Sequence, residues 1–100
     1  MKFGLNNQQH LQLLDLVIDP LKMLGITVYV FGSRVSGKHH PFSDIDILYS
    51  VPDGSYFNSH IHVIKESIEE SNFPIKVDLV NEAELAASYR DSVFRTRVPV

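Results

Sequence analysis

The stretch Phe31-Gly32-Ser33-Arg34-Val35-Ser36-Gly37-Lys38-His39-His40-Pro41-Phe42-Ser43-Asp44-Ile45-Asp46 decides how this chain is read. In a strand, residues two apart face the same side, so Asp44 and Asp46 project together while Ile45 and Ile47 turn towards a core. Two carboxylates on one face concentrate negative charge, at a cost that a bound cation removes. Hard divalent ions such as Mg²⁺ favour this oxygen environment, and a pair of them can clamp the attacking and leaving oxygens of a phosphoryl displacement. Upstream, Gly32 lacks a side chain and lets a phosphate approach the backbone, and Ser33 offers a hydroxyl and a peptide N–H at the start of a helical turn. Arg34 and Lys38 stand near enough in sequence to neutralise further phosphate oxygens. The pattern therefore suits a triphosphate at one end and metal ions at the other.

Working outward, Asp44 to Ser50 alternates polar and apolar residues as a strand does, and Ile26 to Phe31 before it is β-branched and aromatic. Between them Arg34 to Gly37 has room for one helical turn only. From Gln8 to about Leu24, Leu11, Leu14, Ile18 and Leu21 recur at helical steps, widened by Leu13, Val17 and Leu24, with Pro20 expected to kink or divide the helix near Asp19. Pro52-Asp53-Gly54 reads as a turn, followed by a helix from about Ser55 to Ser71 buried through Phe57, Ile61, Ile64 and Ile68. A third strand is expected over Ile75 to Val80, and a last helix from an Asn81 N-cap towards Arg95, with Leu85, Tyr89 and Val93 in the core. Phe94, Val98 and Val100 are expected to be more exposed, as a docking surface. The order helix, strand, turn, strand, helix, strand, helix predicts an α/β fold of α+β-like character: a small mixed β-sheet packed with helices.

Asp78 breaks the apolar run of that third strand, where aspartate is disfavoured. If the third strand lies beside the second, Asp78 completes the carboxylate site. His39 and His40 sit in a polar loop and read as solvated rather than ligating, and His60 and His62 are too close in sequence to share a helix face.

With 100 residues, 44% hydrophobic and 21% charged, the chain is expected to form one domain over residues 1–100 and no second core. The absence of cysteine excludes disulfides, thiolate metal sites and a catalytic thiol. The amide-rich N-terminus does not read as a signal peptide and no apolar run is long enough to span a bilayer, so a cytoplasmic location is expected. A formal net charge of -3 makes a nucleic-acid acceptor a poor expectation.

Gly-Ser followed by Asp-x-Asp at this spacing resembles the signature of the DNA polymerase beta nucleotidyltransferases. Phe31-Gly32-Ser33-Arg34 with Ser43-Asp44-Ile45-Asp46-Ile47 looks most like the MNT group of minimal nucleotidyltransferases. The resemblance implies a polymerase beta-type core in which Gly32 and Ser33 contact nucleotide phosphates, Asp44 and Asp46 ligate two Mg²⁺ ions (Mn²⁺ being the substitute), and Asp78 is the third carboxylate. Arg34 is the further nucleotide-binding candidate. It also implies transfer of a nucleoside monophosphate from an NTP, ATP by preference, to a hydroxyl. The partner implied is a helical HEPN-domain protein encoded by a neighbouring gene, a toxin whose tyrosine is the acceptor. Two other readings stand beside it: an antitoxin that masks its partner with nucleotide as a structural ligand, and an antibiotic nucleotidyltransferase whose helical subunit comes in trans.

Overall fold

The computed structural model describes residues 2–100. Asn6 opens the first helix with a capping box, its side chain accepting from the Gln9 backbone N–H while the Gln9 side chain accepts from the Asn6 N–H. Helix α1 spans Asn7–Leu13, a π-helical turn follows over Leu14–Ile18, and α2 spans Asp19–Met23. The helical run continues through Pro20, and the interruption expected near Asp19, a kink or a division, takes the form of this π-helical turn. The widened turn before Pro20, in which the Asp19 N–H donates to the Leu14 carbonyl five residues back, shifts the ladder register ahead of a residue that has no N–H to give.

Strands β1 (Thr27–Phe31) and β2 (Ile45–Ser50) are antiparallel, with a single-turn helix α3 (Ser33–Ser36) between them. Helix α4 (Asn58–Glu70) then crosses over to β3 (Val77–Asn81), which lies parallel to β2. Asn81 does cap the next element through the Ala83 N–H, but that element is only a 3-10 turn over Glu82–Glu84; α5 begins afresh at Ala87 and runs to Thr96. The sequence gives no sign of β4 (Val98–Pro99), which adds to the free edge of β1 and completes the order β3-β2-β1-β4.

One sheet face carries Val28, Val30, Ile45, Ile47 and Tyr49 into a core shared with Leu13, Val17, Ile18 and Leu21 of the first helix and Ile61, Ile64 and Ile68 of α4. Burying each such aliphatic side chain contributes about 1.5 to 3 kcal/mol, which is why their spacing was so readable. Leu11 departs from expectation, being 64% exposed, because α1 turns that side away from the sheet. Leu5, ahead of the helix, is fully buried. Tyr89, expected in the core, is exposed, and Val93 is the buried residue of α5.

The opposite face bears Tyr29, Phe31, Asp46, Leu48 and Asp78, and the C-terminal segment lies across part of it. The Arg97 guanidinium stacks 4.0 Å from the Tyr29 ring centre and 4.2 Å from that of Phe94, and its Nη1 donates to Glu82 Oε1 at 2.6 Å. Phe94 thus serves this clasp, although it retains partial exposure. A hydrogen bond from Ser50, together with Arg97, holds the Glu82 carboxyl below the ordinary glutamate value, against the opposing effect of burial. A carboxyl depressed in the folded state adds stability above its unfolded pKa and loses it as pH falls through the folded one. Glu82→Gln is therefore expected to cost about 1 kcal/mol at neutral pH, lowering the melting temperature by about 5 °C. Melting curves at neutral pH and at a pH well below the glutamate range check this: the difference between variant and wild type should shrink in acid.

Candidate nucleotidyl-transfer site

Strand β1 ends at Phe31 because Gly32 takes φ 83° and ψ -155°, a conformation essentially closed to residues with a Cβ. The chain turns there into α3, and Ser33 is its first residue. Across the ladder Phe31 pairs with Asp46, and a Cβ built on Gly32 would overlap Asp46 Oδ2. Gly32 is thus the point where backbone passes directly against the carboxylate. The Gly-Ser turn and the Asp-x-Asp strand, separated in sequence, meet at one end of the sheet.

Asp46 is also the register partner of Asp78 in the parallel β2–β3 ladder, where neighbouring strands run about 4.8 Å apart. Asp44 stands just before β2, where the Ile45 N–H donates to the Lys76 carbonyl at 2.9 Å and extends the ladder. Burial first, then the charge of Asp78, then that of Asp44, push the Asp46 carboxyl above the usual aspartate range. All three aspartates keep partial solvent access. The two-residue period of a strand was the sequence signal that set Asp44 and Asp46 together; the β2–β3 pairing is what sets Asp78 level with Asp46.

The donor set consists of carboxylate oxygens alone, and the charges of two neighbouring carboxylates bear on its central member, so these residues fit hard divalent cations. Among the described residues, no three carboxylate or imidazole groups already converge into a ready-made cage. Asp78 instead reaches Lys76, Nζ to Oδ1 being 3.6 Å. Lys76 was not singled out from the sequence, although its position two residues before Asp78 on the same strand face was the available signal.

Arg34, expected at the nucleotide phosphates, is placed otherwise. Its side chain is almost wholly buried, which lowers its pKa by desolvation, and its donors go to backbone carbonyls: Nε and Nη2 to Ser43, Nη2 to Pro41, and Nη1 to Phe3. Residue type and spacing alone could not separate this use from phosphate binding. Lys38 and His40 are exposed in the loop, while His39 is half-buried against Gly4.

The model of the nucleotidyltransferase domain family matches residues 12–99 of this sequence. The chain belongs to that family. Over 74 residues it is 32% identical to the "Probable protein adenylyltransferase MntA" of Haemophilus influenzae, a match covering 74% of this chain and 64% of that protein. The chain thus spans a little under two thirds of the length of that relative. Among solved structures, a provisionally assigned minimal nucleotidyltransferase superposes with a TM-score of 0.69 at 27% identity, over 100% of this chain and 97% of its own. A chain from a toxin-antitoxin crystal structure with AMP-PNP shares the fold at a TM-score of 0.64 and 24% identity, over 85% of this chain and 69% of its own. The mixed sheet with its flanking helices is accordingly the fold of this nucleotidyltransferase family, of the minimal, MNT type.

Proposed function

We propose that this protein transfers a nucleoside monophosphate, AMP from ATP, to a hydroxyl of a protein partner and releases pyrophosphate. The observation that carries this reading is the Asp46–Asp78 register pair standing beside Gly32, with Asp44 on the same strand approach. The likeness to a protein adenylyltransferase supports both the adenylyl group and a protein acceptor. The carboxylates stand at a partly open sheet end, whereas a cleft of about 470 Å³ lined by Ser50, Tyr56, Asn81, Glu82 and Arg90 lies at the other end of β2 and β3 and contains none of them. An open site suits an acceptor carried on another macromolecule. Among the described residues no helix is long and apolar enough to cross a membrane.

Asp44, Asp46 and Asp78 are the residues that would hold two Mg²⁺ ions, which when bound neutralise the triphosphate and favour the ionised acceptor oxygen. Gly32 leaves room for phosphate against the backbone, and Ser33 donates its hydroxyl to a phosphate oxygen. The acceptor oxygen attacks the α-phosphorus in line, the bond to the β-phosphate bridging oxygen breaks, and pyrophosphate leaves. Asp78, at the β3 side of the pair, takes up or orients the acceptor proton. On the resemblance to MNT proteins, the acceptor is a tyrosine of a HEPN-type toxin, and its modification is the antitoxin role.

Asp78→Asn is expected to leave nucleotide affinity largely intact and to abolish transfer. Wild type and variant are each mixed with the neighbouring gene product, Mg²⁺ and labelled ATP, and both label on the partner and the partner's residual activity are followed. Loss of label together with loss of neutralisation supports the enzyme. Full neutralisation by the variant, with no label in either reaction, supports masking instead.

A further inference from the structure

The buried Arg34 joins three segments that are distant in sequence. It sits in α3 directly after Ser33; its Nε and Nη2 reach the Ser43 carbonyl at 3.0 and 2.8 Å, the residue immediately before Asp44. Nη2 also reaches Pro41 at 3.2 Å, and Nη1 reaches the Phe3 carbonyl at 2.8 Å. The loop between Gly37 and Ser43 is otherwise polar and mostly exposed, tied further by the Ser43 hydroxyl accepting from the His40 N–H at 2.7 Å.

The third segment is a hook at the N-terminus. Leu5 donates back to the Lys2 carbonyl at 2.9 Å, closing a reversal whose central residues, Phe3 (φ 56°) and Gly4 (φ 71°), both take positive φ. A non-glycine residue in that region is uncommon and persists only where its surroundings demand it. Here the demand is visible: Leu5 is fully buried, Phe3 packs on the core, and the Phe3 carbonyl meets Arg34. Gly4 lies so close to His39 that a Cβ would overlap its Nε2. The hook thereby closes over both the arginine and the loop.

We propose that Arg34 is a positioning residue of the transfer reaction, clamping the Ser33 turn to the Asp44 end of β2 through the Ser43 carbonyl, with the Lys2–Leu5 hook as the lid of the clamp. This rests on the reading of the Asp44–Asp46–Asp78 end as the transfer site. The β1–β2 ladder sets Gly32 beside Asp46, and the clamp adds what the ladder does not reach, holding Asp44, which precedes β2, against the Ser33 turn through the Ser43 carbonyl. The planar guanidinium fork reaches three separate carbonyls with four hydrogen bonds from three nitrogens; a lysine ammonium keeps the charge but has its three donors on one nitrogen and loses the spread geometry.

Two variants test it, Arg34→Lys and Gly4→Ala. For both, kcat for label transfer from ATP to the neighbouring gene product is expected to fall about tenfold to a hundredfold, with KM for ATP little changed. Hydrogen exchange on the nucleotide-free chain should show faster exchange at Lys38, His40 and Ser43, while Val30 and Ile47 in the sheet stay protected. A raised KM with unchanged kcat in Arg34→Lys would overturn the proposal in favour of direct phosphate binding. Wild-type kcat and exchange in Gly4→Ala would overturn the part given to the hook. Should the wild type transfer no label at all, the reading of the site fails separately, and exchange in the loop alone decides the clamp: unchanged rates in Arg34→Lys overturn it.

Discussion

Gly32→Ala is expected to lower nucleotidyl transfer by about a hundredfold or more, since displacing a reacting group by about 1 Å can cost that much. Two independent penalties fall on the same atom. The backbone at Gly32 holds a φ of 83° that an alanine resists, and the new methyl group would occupy the space of Asp46 Oδ2. Either the turn opens, moving Ser33, or the carboxylate rotates away from Asp78; both separate groups that act together. Much of the fold is untouched by the change, because the core face of the sheet lies on the other side. Steady-state transfer rates, nucleotide affinity by calorimetry in Mg²⁺, and a melting curve measure the result. Wild-type transfer by Gly32→Ala would show that the close approach of backbone to Asp46 has no part in catalysis.

Asp46→Asn is expected to be the most damaging single change to activity and among the mildest to folding. The Asp46 side chain is the member of the set that feels burial and both neighbouring carboxylates, so neutralising it removes repulsion that the folded chain otherwise tolerates. Its melting temperature in the absence of divalent ions should be equal to or above that of wild type. Mg²⁺-dependent nucleotide binding should be lost, because the amide gives up the charge that attracts a hard cation. Calorimetry of ATP with Mg²⁺ and with a chelator, on both proteins, separates the two effects. A variant that melts well below wild type, or that binds Mg²⁺ and ATP as well as wild type does, would place Asp46 in a structural role.

The strands and the long helices were legible because their burial follows simple periods. Val28 and Val30, Ile45 and Ile47, and Ile61, Ile64 and Ile68 all lie where alternation or helical spacing put them. The exceptions share a cause, which is that what packs against an element from elsewhere in the chain, and not its own spacing, decides which side is buried. Leu11 has the right spacing and the wrong side of the helix, Tyr89 follows a helical step on an element with little to bury it, and β4 is two residues long and exists through its partner β1. Pro20 announced an interruption, but whether it would be a break or a widened turn depended on how α1 and α2 pack against the same core.

At the site, sequence by itself determined the Gly32-Ser33 turn and the shared face of Asp44 and Asp46, because both follow from the backbone chemistry of glycine and the two-residue period of a strand. Tertiary structure decided the rest. The parallel pairing of β3 with β2 brings Asp78 level with Asp46, a register that no local pattern encodes. The use of Arg34 was likewise beyond local reading: an arginine beside a phosphate-binding turn has the same spacing whether its fork meets a ligand or three carbonyls. Only the arrival of Phe3, Pro41 and Ser43 around it, under a hook folded back from the N-terminus, consumed its donors inside the protein.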